Sequence, residues 1–448
     1  MNMKTRPLVF TLLIVLCLGL LVAGCGNSGL TGQPNTNERK GDKEKIKIHV
    51  TDGFNTLPSK QFWKMFEQKF AEKYPKYNLV LENIPASDSP EQFYKTKLAA
   101  GEFPDVAKVF QPALLIDADV IQEIPQDLQN TLIDPEFGRI NGKLYTMPQH
   151  QGALGMWYNK EIFKKAGIEK LPETWDEFIA ACKKIQAIGI EPIGMSVKSG
   201  FFIAGHFAFL WAPATYGPEP NWPKLRTEGK VKFNNPVTRR ALEQLKESMP
   251  YWQKGALSAT ADQVKGLFFS GKVAIMANGG IYNAAEVNTG ELKAGFEIGY
   301  LTPPQDKAET RKINTYRDNM WVINKNASGE KLQAVADFLK FFYSKEIYEQ
   351  FLNANAVMPT VKGFENYKPA MENPTAAKMV AEIRAAMDKH GTVAHAHAAQ
   401  GDNIWPQGAR EMSEKIVQEL AAGNDNLDQL MNLFDEQWDK GVQQMKKK

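Results

Sequence analysis

The stretch that decides the fold is LYTMPQHQGALGMWYNKEIFKKAGIEKLPETWDEFIAACKKI, residues 144–185. It contains a strand, GMWYNK, followed by two helices, and the second helix has clear ends. Thr174 and Glu177 have the spacing of a capping box, and Gly189 is a helix stop. The stretch therefore predicts the strand–helix unit from which α/β domains are built.

The same alternation continues in both directions along the chain. Ile46, Ile48 and Val50 alternate with polar residues, which predicts a first strand. The next helix has aromatic residues on one face: Phe62, Trp63, Phe66 and Phe70. Downstream, DQVKGLFFSGKVAIMANGG predicts a helix and a strand, and EKLQAVADFLKFFY predicts an amphipathic helix. The chain is therefore expected to be α/β with largely parallel pairing, and its length predicts more than one core.

The first 24 residues predict a secretion signal. Lys4 and Arg6 precede an apolar block that is shorter than the ~20 residues a membrane-spanning helix needs. The motif VAGC, which ends at Cys25, is similar to a bacterial lipobox, so we expect cleavage before Cys25 and a diacylglyceryl group on its sulfur. The alternative is an ordinary signal with an incidental cysteine. Residues 25–43 are polar and are expected to form a lipid-anchored flexible tether.

Charge and cysteine content exclude several classes of protein. The chain has 54 Lys+Arg and 51 Asp+Glu, and loss of Lys4 and Arg6 with the signal leaves 52 cations. A near-neutral chain does not favour nucleic-acid binding, which needs a basic face.

Cys17 leaves with the signal and Cys25 carries the anchor, so Cys182 has no partner for an intramolecular disulfide. Cys182 lies on the apolar face of its predicted helix and is expected to be a core residue.

Residues 144–185 resemble the mid-chain signature of family 1 extracellular solute-binding proteins, the sugar-binding lipoproteins of bacterial ABC importers. The shared features are a Pro-containing strand, a small-residue turn, an aromatic-Tyr-Asn-Lys strand end and a Pro-x-Thr-Trp-x-Glu helix start. Later segments also resemble this family: LFFSGKVAIMANGG, FEIGYLTPP and DNMWVINKNASGEKLQAVADFLKFFYSKEIYEQF. The resemblance thus extends over nearly the whole mature chain.

The resemblance implies a type II periplasmic-binding-protein-like fold, in which two α/β lobes joined by a hinge close over a ligand. The N-terminal lobe would comprise 44–150 and 303–355, and the C-terminal lobe 151–302 and 356–448. The implied function is to capture a carbohydrate, expected to be an oligosaccharide, and to deliver it to a membrane permease. The protein is expected to be a monomer without cofactor or enzymatic activity. Its lipid would hold it at the extracellular face of the cytoplasmic membrane, as in Gram-positive bacteria.

A sugar site needs aromatic rings for the C–H faces of the sugar and planar polar groups for its hydroxyls. Trp405, Trp211 and Trp321 are candidate rings, with core packing as the alternative for each. The polar candidates follow predicted strands or crossovers, where α/β sheets place ligand contacts, although turn or cap roles are an alternative. They are Asp318, Asp402, Gln149, His150, Asn278, Gly280, Gln111, Asp52, Asn55 and His395.

The interval KHGTVAHAHAAQGDN, residues 389–403, contains His390, His395 and His397. A metal site is one interpretation, but the spacing matches none of the common zinc patterns. We favour a loop along the cleft in which a histidine donates to a ligand hydroxyl.

Two other functions remain open from the sequence. The same fold can act as a sensor for a membrane kinase or bind a solute that is not a sugar. An anchored glycosidase would need paired carboxylates, which the sequence cannot pair, and we find no hydrolase signature.

Overall fold

The structure, a computed structural model, describes residues 45–85, 90–317, 319–398 and 400–446. The predicted signal, Cys25 and the tether lie outside these residues, and so does Asp318. In the part of the chain that is described, no helix has both the length and the apolar character that are needed to cross a membrane.

The described residues form these strands, in chain order: β1 (Ile46–Asp52), β2 (Tyr77–Asn83), β3 (Val106–Val109), β4 (Ile121–Gln122), β5 (Arg139–Ile140), β6 (Lys143–Leu144), β7 (Met147–Pro148), β8 (Gly152–Asn159), β9 (Glu191–Gly194), β10 (Val273–Gly280), β11 (Ile298–Leu301), β12 (Ile313–Tyr316), β13 (Met320–Asn324) and β14 (Thr392–Ala394).

The α-helices are α1 (Leu57–Lys73), α2 (Pro90–Ala99), α3 (Ala113–Asp117), α4 (Gln126–Gln129), α5 (Lys160–Lys165), α6 (Trp175–Ala187), α7 (Gly200–Thr215), α8 (Trp222–Thr227), α9 (Pro236–Ser248), α10 (Ala261–Phe269), α11 (Tyr282–Asn288), α12 (Gly329–Phe342), α13 (Lys345–Asn355), α14 (Pro374–His390), α15 (Ala409–Ala421) and α16 (Leu427–Lys446).

Two mixed sheets organise these elements. In the first sheet the order is β2-β1-β3-β13-β4, and β7 also pairs with β13. In the second sheet the order is β14-β12-β8-β10-β9, and β11 pairs with β8. The strands β1, β2 and β3 are parallel, as are β9 with β10 and β12 with β14.

The expectation of largely parallel pairing is wrong for β8 and β13. Strand β13 is antiparallel to its neighbours in the first sheet, and β8 is antiparallel to β10, β11 and β12 in the second. Both strands enter their sheet through a short crossing from the other sheet. A parallel connection within one sheet would need a longer crossover, usually with a helix.

Three segments connect the two sheets: one between β7 and β8, one between β12 and β13, and one between α13 and α14. Gln151 and Met358, on the first and third segments, exchange two backbone hydrogen bonds of 2.8 Å. Strand β12 lies in the second sheet, although its residues fall within the range 303–355 that was assigned to the first lobe. We therefore propose that the described residues within 45–148 and 320–355 form the first lobe, and that the described residues within 152–316 and 374–446 form the second.

Aromatic side chains fill the core of the first lobe. The predicted apolar face of α1 is confirmed, because all four of its aromatic residues are buried: Phe62, Trp63, Phe66 and Phe70. In the second lobe, Cys182 is fully buried on α6 and its burial raises the pKa of the thiol, so its predicted core role is confirmed. The capping box of Thr174 and Glu177 at the start of α6 is also confirmed.

Candidate ligand-binding site

A cavity of about 330 Å³ lies between the two lobes. Phe110 contributes to it from the first lobe, and Asn319 contributes from the crossing between β12 and β13. The other lining residues come from the second lobe: Leu154, Phe201, Tyr282, Tyr316, His395 and Arg410. Most of the wall is therefore apolar or aromatic, with a few polar groups, which is the usual composition of a small-molecule site.

Strand ends position several of these side chains. Tyr316 is the last residue of β12, Phe110 follows β3, and His395 follows β14. Gly152 on β8 is paired with Tyr316, and a Cβ atom at Gly152 would overlap the tyrosine ring. The ring of Tyr316 can therefore lie against the β8 backbone only because residue 152 has no side chain.

Exposed aromatic rings lie on the cavity wall. Phe201 is 43% exposed and Tyr282 is 37% exposed. Most other large apolar side chains among the described residues are more deeply buried. The guanidinium carbon of Arg410 lies 5.5 Å from the centre of the Phe201 ring. Nε of Arg410 also lies 3.4 Å from a carboxylate oxygen of Glu414, so the cation has an acidic neighbour. The wall thus offers aromatic surface beside a partly neutralised charge.

His395 is a buried neutral histidine on the cavity wall. Its Nδ1 lies 3.3 Å from Oδ1 of Asn314 on β12, whereas its Nε2 has no hydrogen-bond partner among the described residues. Burial, with a further effect of Arg410, lowers the pKa of His395 to about 3. The side-chain nitrogen of Asn314 also lacks a hydrogen-bond partner among the described residues. The structure places His395 on the cavity wall, and the expected donation to a ligand hydroxyl stays a prediction.

The other histidines of this interval do not form a metal site with His395. The ring of His397 lies 5.5 Å from that of His395, and its Nε2 is 2.8 Å from Oγ of Ser413. Within the residues that the structure describes, no three His, Cys, Asp or Glu side chains form a group that could hold a metal ion. His390 ends α14.

A second polar cluster lies at the ends of β1 and β3 and combines three predicted residues. The carboxylate of Asp52 is 3.0 Å from Nζ of Lys108 and accepts a hydrogen bond of 3.3 Å from the amide of Gln149. His150 follows Gln149 and is buried, and its burial, with a further effect of Lys108, lowers the pKa of His150 to about 3. Nζ of Lys108 is also 5.2 Å from the ring centre of Phe110, which connects this cluster to the cavity wall.

The three candidate tryptophans lie in cores and do not line the cavity. Trp211 is fully buried in α7, and its Nε1 donates to Oγ1 of Thr238 over 2.9 Å. Trp405 is buried beside Trp211, and its Nε1 donates to the hydroxyl of Tyr216 over 3.0 Å. Trp321 is fully buried in the core of the first lobe. Each ring fills space between packed elements, which is the alternative role considered above.

Two predicted polar residues take part in contacts between the lobes. The amide of Gln111 lies 3.5 Å from the backbone carbonyl of His397. The carboxylate of Asp402 accepts a hydrogen bond of 3.0 Å from the backbone N–H of Asn141. Asp402 also lines a second cavity between the lobes, of about 430 Å³. Both residues are therefore near the gap but not on the wall of the aromatic cavity.

The remaining candidates make hydrogen bonds with residues that are distant in the sequence. The amide of Asn278 donates to the carbonyl of Phe202 over 3.2 Å. The backbone carbonyl of Gly280 accepts a hydrogen bond of 3.2 Å from Nε1 of Trp157. Asn55 donates to the carbonyl of Ile84 over 3.0 Å. The partners are 76, 123 and 29 residues apart, so these are tertiary contacts and not the turn or cap contacts that were the alternative for such residues.

Sequence reasoning missed most of the cavity wall: Phe110, Leu154, Phe201, Tyr282, Tyr316, Asn319 and Arg410. A signal was present for one of them, since Phe110 is an aromatic residue that directly follows the short apolar segment of β3. Lys108, a cation inside the short apolar strand β3, was a similar signal for the second polar cluster.

Comparisons with known proteins agree with this architecture. A family profile described as bacterial extracellular solute-binding protein matches residues 55–349. The multiple sugar-binding protein of Streptococcus mutans is 22% identical over 444 residues, which are 94% of this chain and 97% of that protein. The sn-glycerol-3-phosphate-binding periplasmic protein UgpB of Rhizobium meliloti is 26% identical over 253 residues, 53% of this chain and 56% of that protein.

The fold itself matches that of a solved structure. A chitin oligosaccharide binding protein superposes with a TM-score of 0.76 at 20% sequence identity, covering 89% of this chain and 100% of that one. The predicted type II fold and the predicted resemblance are both confirmed by these matches. The chain therefore belongs to the family of bacterial extracellular solute-binding proteins.

Proposed function

We propose that the protein binds an oligosaccharide outside the cytoplasmic membrane and delivers it to the permease of an ABC importer. The observation that carries this proposal is the cavity between the lobes, whose wall combines exposed aromatic rings with a few polar groups. The relative from Streptococcus mutans, which aligns over almost the full length of both chains, supports a sugar as the ligand.

The cavity wall suits the two kinds of surface that a sugar presents. The rings of Phe201 and Tyr282 would pack on C–H faces. Asn319, His395 and Arg410 would make hydrogen bonds with hydroxyls, each adding ~0.5–1.5 kcal/mol net. Two packed rings and several hydrogen bonds can together reach micromolar affinity, about −8 kcal/mol.

Closure of the lobes would follow from ligand contacts on both sides of the cavity. Phe110 belongs to the first lobe, whereas Phe201, Tyr282 and His395 belong to the second. A solute that contacts both lobes binds the closed arrangement more tightly, and this difference in affinity shifts the population towards closure. The permease would then recognise the closed form.

A catalytic role is the less favoured alternative. Glycosidases use two carboxyl groups on either side of the scissile bond. Among the described residues that line the cavity there is no Asp or Glu. We therefore propose a binding role without turnover, and release of reducing sugar from an oligosaccharide by the purified protein would contradict it.

We further propose that a lipid on Cys25 holds the protein, as a monomer, at the extracellular face of the cytoplasmic membrane. The motif VAGC supports this proposal. Mass spectrometry of the membrane fraction should detect a diacylglyceryl group on Cys25. A membrane-bound protein whose Cys25 carries no lipid would contradict lipid anchoring.

An anionic solute is the second candidate, because one relative is a glycerol-3-phosphate-binding protein and Arg410 lines the cavity. The acidic neighbour of Arg410, Glu414, reduces its attraction for an anion. We therefore favour a neutral sugar.

A ligand panel tests the proposal. The mature chain would be titrated with N,N′-diacetylchitobiose, maltose, raffinose and sn-glycerol 3-phosphate by calorimetry, and the melting temperature would be measured with each solute. We expect at least one sugar to bind with 1:1 stoichiometry, to raise the melting temperature and to reduce the radius of gyration in small-angle scattering. Binding of glycerol phosphate alone, or of no sugar, would overturn the proposal.

A further inference from the structure

The turn between β10 and α11 carries one of the exposed rings of the cavity wall. Tyr282 is the first residue of α11, two residues after the end of β10. Its ring lies against the backbone of Gly280, where a Cβ atom would be 2.5 Å from Cε1 of the ring and 2.9 Å from Cδ2 of Leu154. A side chain at residue 280 would therefore displace the ring, and the position of the ring depends on the backbone of this turn.

The side chain of Asn283 closes the turn. Asn283 is 1% exposed, and its Oδ1 accepts hydrogen bonds of 3.1 Å from the backbone N–H of Gly280 and from Nε1 of Trp157. Nε1 of Trp157 also donates to the carbonyl of Gly280 over 3.2 Å. Trp157 is fully buried on β8, so these bonds attach the end of β10 and the start of α11 to the second sheet.

A buried ion pair fixes the orientation of the Asn283 amide. Nδ2 of Asn283 donates to Oε2 of Glu286 over 2.7 Å, and Oε1 of Glu286 lies 2.8 Å from Nζ of Lys265 on α10. Glu286 is 5% exposed. The carboxylate can only accept and the N–H groups of Gly280 and Trp157 can only donate, so one orientation of the amide satisfies all of these partners. The side chain of Asn283 is therefore held at both of its polar atoms.

We propose that Asn283 and Gly280 are positioning residues for the sugar: Asn283 fixes the turn that presents the ring of Tyr282, and Gly280 leaves the space that the ring occupies. Asn283 is buried and does not line the cavity, so it acts through Tyr282 and not by touching the ligand. A ring that is held in place before binding loses less conformational freedom when a sugar packs on it, and this raises affinity. The inference rests on the proposed function, since it assigns supporting residues to the same cavity.

The test measures affinity for the sugar of the panel that binds most tightly, in the wild type and in a Tyr282→Ala background. We expect Asn283→Ala to bind the sugar about tenfold more weakly than the wild type. In the Tyr282→Ala background the same substitution should change the affinity by less than about twofold, because the ring that it positions is absent. A merely structural effect of Asn283 would lower the affinity by the same factor in both backgrounds.

Asn159 is the matched control for Asn283. It is also buried, and its Oδ1 also accepts two hydrogen bonds, from the backbone N–H groups of Glu161 and Ile162 at the start of α5. Asn159 does not line the cavity. Asn159→Ala should therefore lower the melting temperature and leave the affinity for the sugar unchanged.

Two further variants keep the test decisive if Asn283→Ala does not fold. Asn283→Ser keeps a hydroxyl that can pair with a buried neighbour, but its shorter side chain cannot reach all three partners, so it should also weaken binding. Gly280→Ala keeps the backbone hydrogen bonds of the turn and places a methyl group where the ring of Tyr282 now lies. It should weaken binding in the wild type and weaken it less in the Tyr282→Ala background.

A readout without ligand separates this inference from the proposed function. The protein would be labelled with fluorotyrosine, and the fluorine signal of Tyr282 would be assigned as the one that is absent from Tyr282→Phe. Asn283→Ala and Gly280→Ala should shift or broaden this signal, whereas Asn159→Ala should not. An unchanged signal in the Asn283 and Gly280 variants, or an equal loss of affinity in both backgrounds, would overturn the inference. If no sugar of the panel binds the wild type, the proposed function fails, and the fluorine signal alone decides whether these residues position the ring.

Discussion

Two aromatic residues on one helix show how placement separates a binding role from a packing role. Phe201, in the first turn of α7, has an exposed ring at the cavity, whereas Trp211 on the same helix is fully buried and donates to Thr238. Helix α7 is apolar on all sides, so its sequence has no stripe that distinguishes an exposed ring from a buried one.

Truncation to alanine should reduce sugar affinity at Phe201 and fold stability at Trp211. Phe201→Ala removes an exposed ring, so we expect sugar affinity to fall by ~1–3 kcal/mol with little change in melting temperature. Trp211→Ala leaves a hole in the core, so the free energy of unfolding should fall by ~3–5 kcal/mol. Leu257→Ala, at a residue that is 58% exposed and does not line the cavity, is the control and should change neither quantity. A stable Trp211→Ala protein that fails to bind sugar would instead restore Trp211 as a ligand contact.

At the scale of elements, Arg317 connects segments that join the lobes. It follows β12, and its Nε donates to the side-chain oxygen of Gln151, on the first crossing, over 3.0 Å. Its guanidinium also pairs with Asp134 of the first lobe over 3.2 Å and lies 4.6 Å from the centre of the Phe137 ring. These contacts stabilise the present arrangement of the crossings.

Removal of these contacts should loosen the arrangement of the lobes. We expect Arg317→Ala to increase the radius of gyration of the ligand-free protein in small-angle scattering and to weaken sugar binding several-fold, because more free energy is then needed for closure. Arg239→Ala breaks an ion pair with Asp428 inside the second lobe and is the matched control. If both variants scatter like the wild type, Arg317 has no role in the hinge.

At the scale of the whole molecule, buried histidines make stability depend on pH. Burial is the main cause that lowers the pKa of His150 and His395 to about 3 and that of His206 to about 4. In an unfolded chain the pKa of histidine is about 6.5. The unfolded state therefore binds more protons below pH ~6.5, so stability is complete above that pH and is lost as the pH falls.

We expect the free energy of unfolding, measured with urea, to decrease from pH 7 to pH 5 by up to ~2 kcal/mol for each of these histidines. This window lies above the usual pKa of carboxyl groups, so it reports mainly on histidine. His206→Gln should reduce the decrease, whereas His390→Gln, at a half-buried residue that ends α14, should change it much less. Equal stability at pH 7 and pH 5 would contradict the burial of neutral histidines.

Local sequence patterns were sufficient for much of the fold. The capping box of Thr174 and Glu177, the aromatic face of α1 and the core position of Cys182 depend on neighbours within a few turns of the same element, and all three are confirmed. The motifs along residues 144–185 likewise predicted the family. Strand direction was less predictable, because it depends on which sheet a crossing enters, as β8 and β13 show.

The sequence by itself determined the α/β elements, the two-lobe family and the kind of side chains that a solute site needs. Only the tertiary structure decided which of these side chains meet at the cavity. Tyr316 and His395 are distant in sequence, yet they meet because β12 pairs with β14 in the second sheet. Trp211, Trp405 and Trp321 have the right chemistry for a sugar, but packing of distant elements buries them. Burial depends on long-range contacts, and these are not written in local sequence patterns.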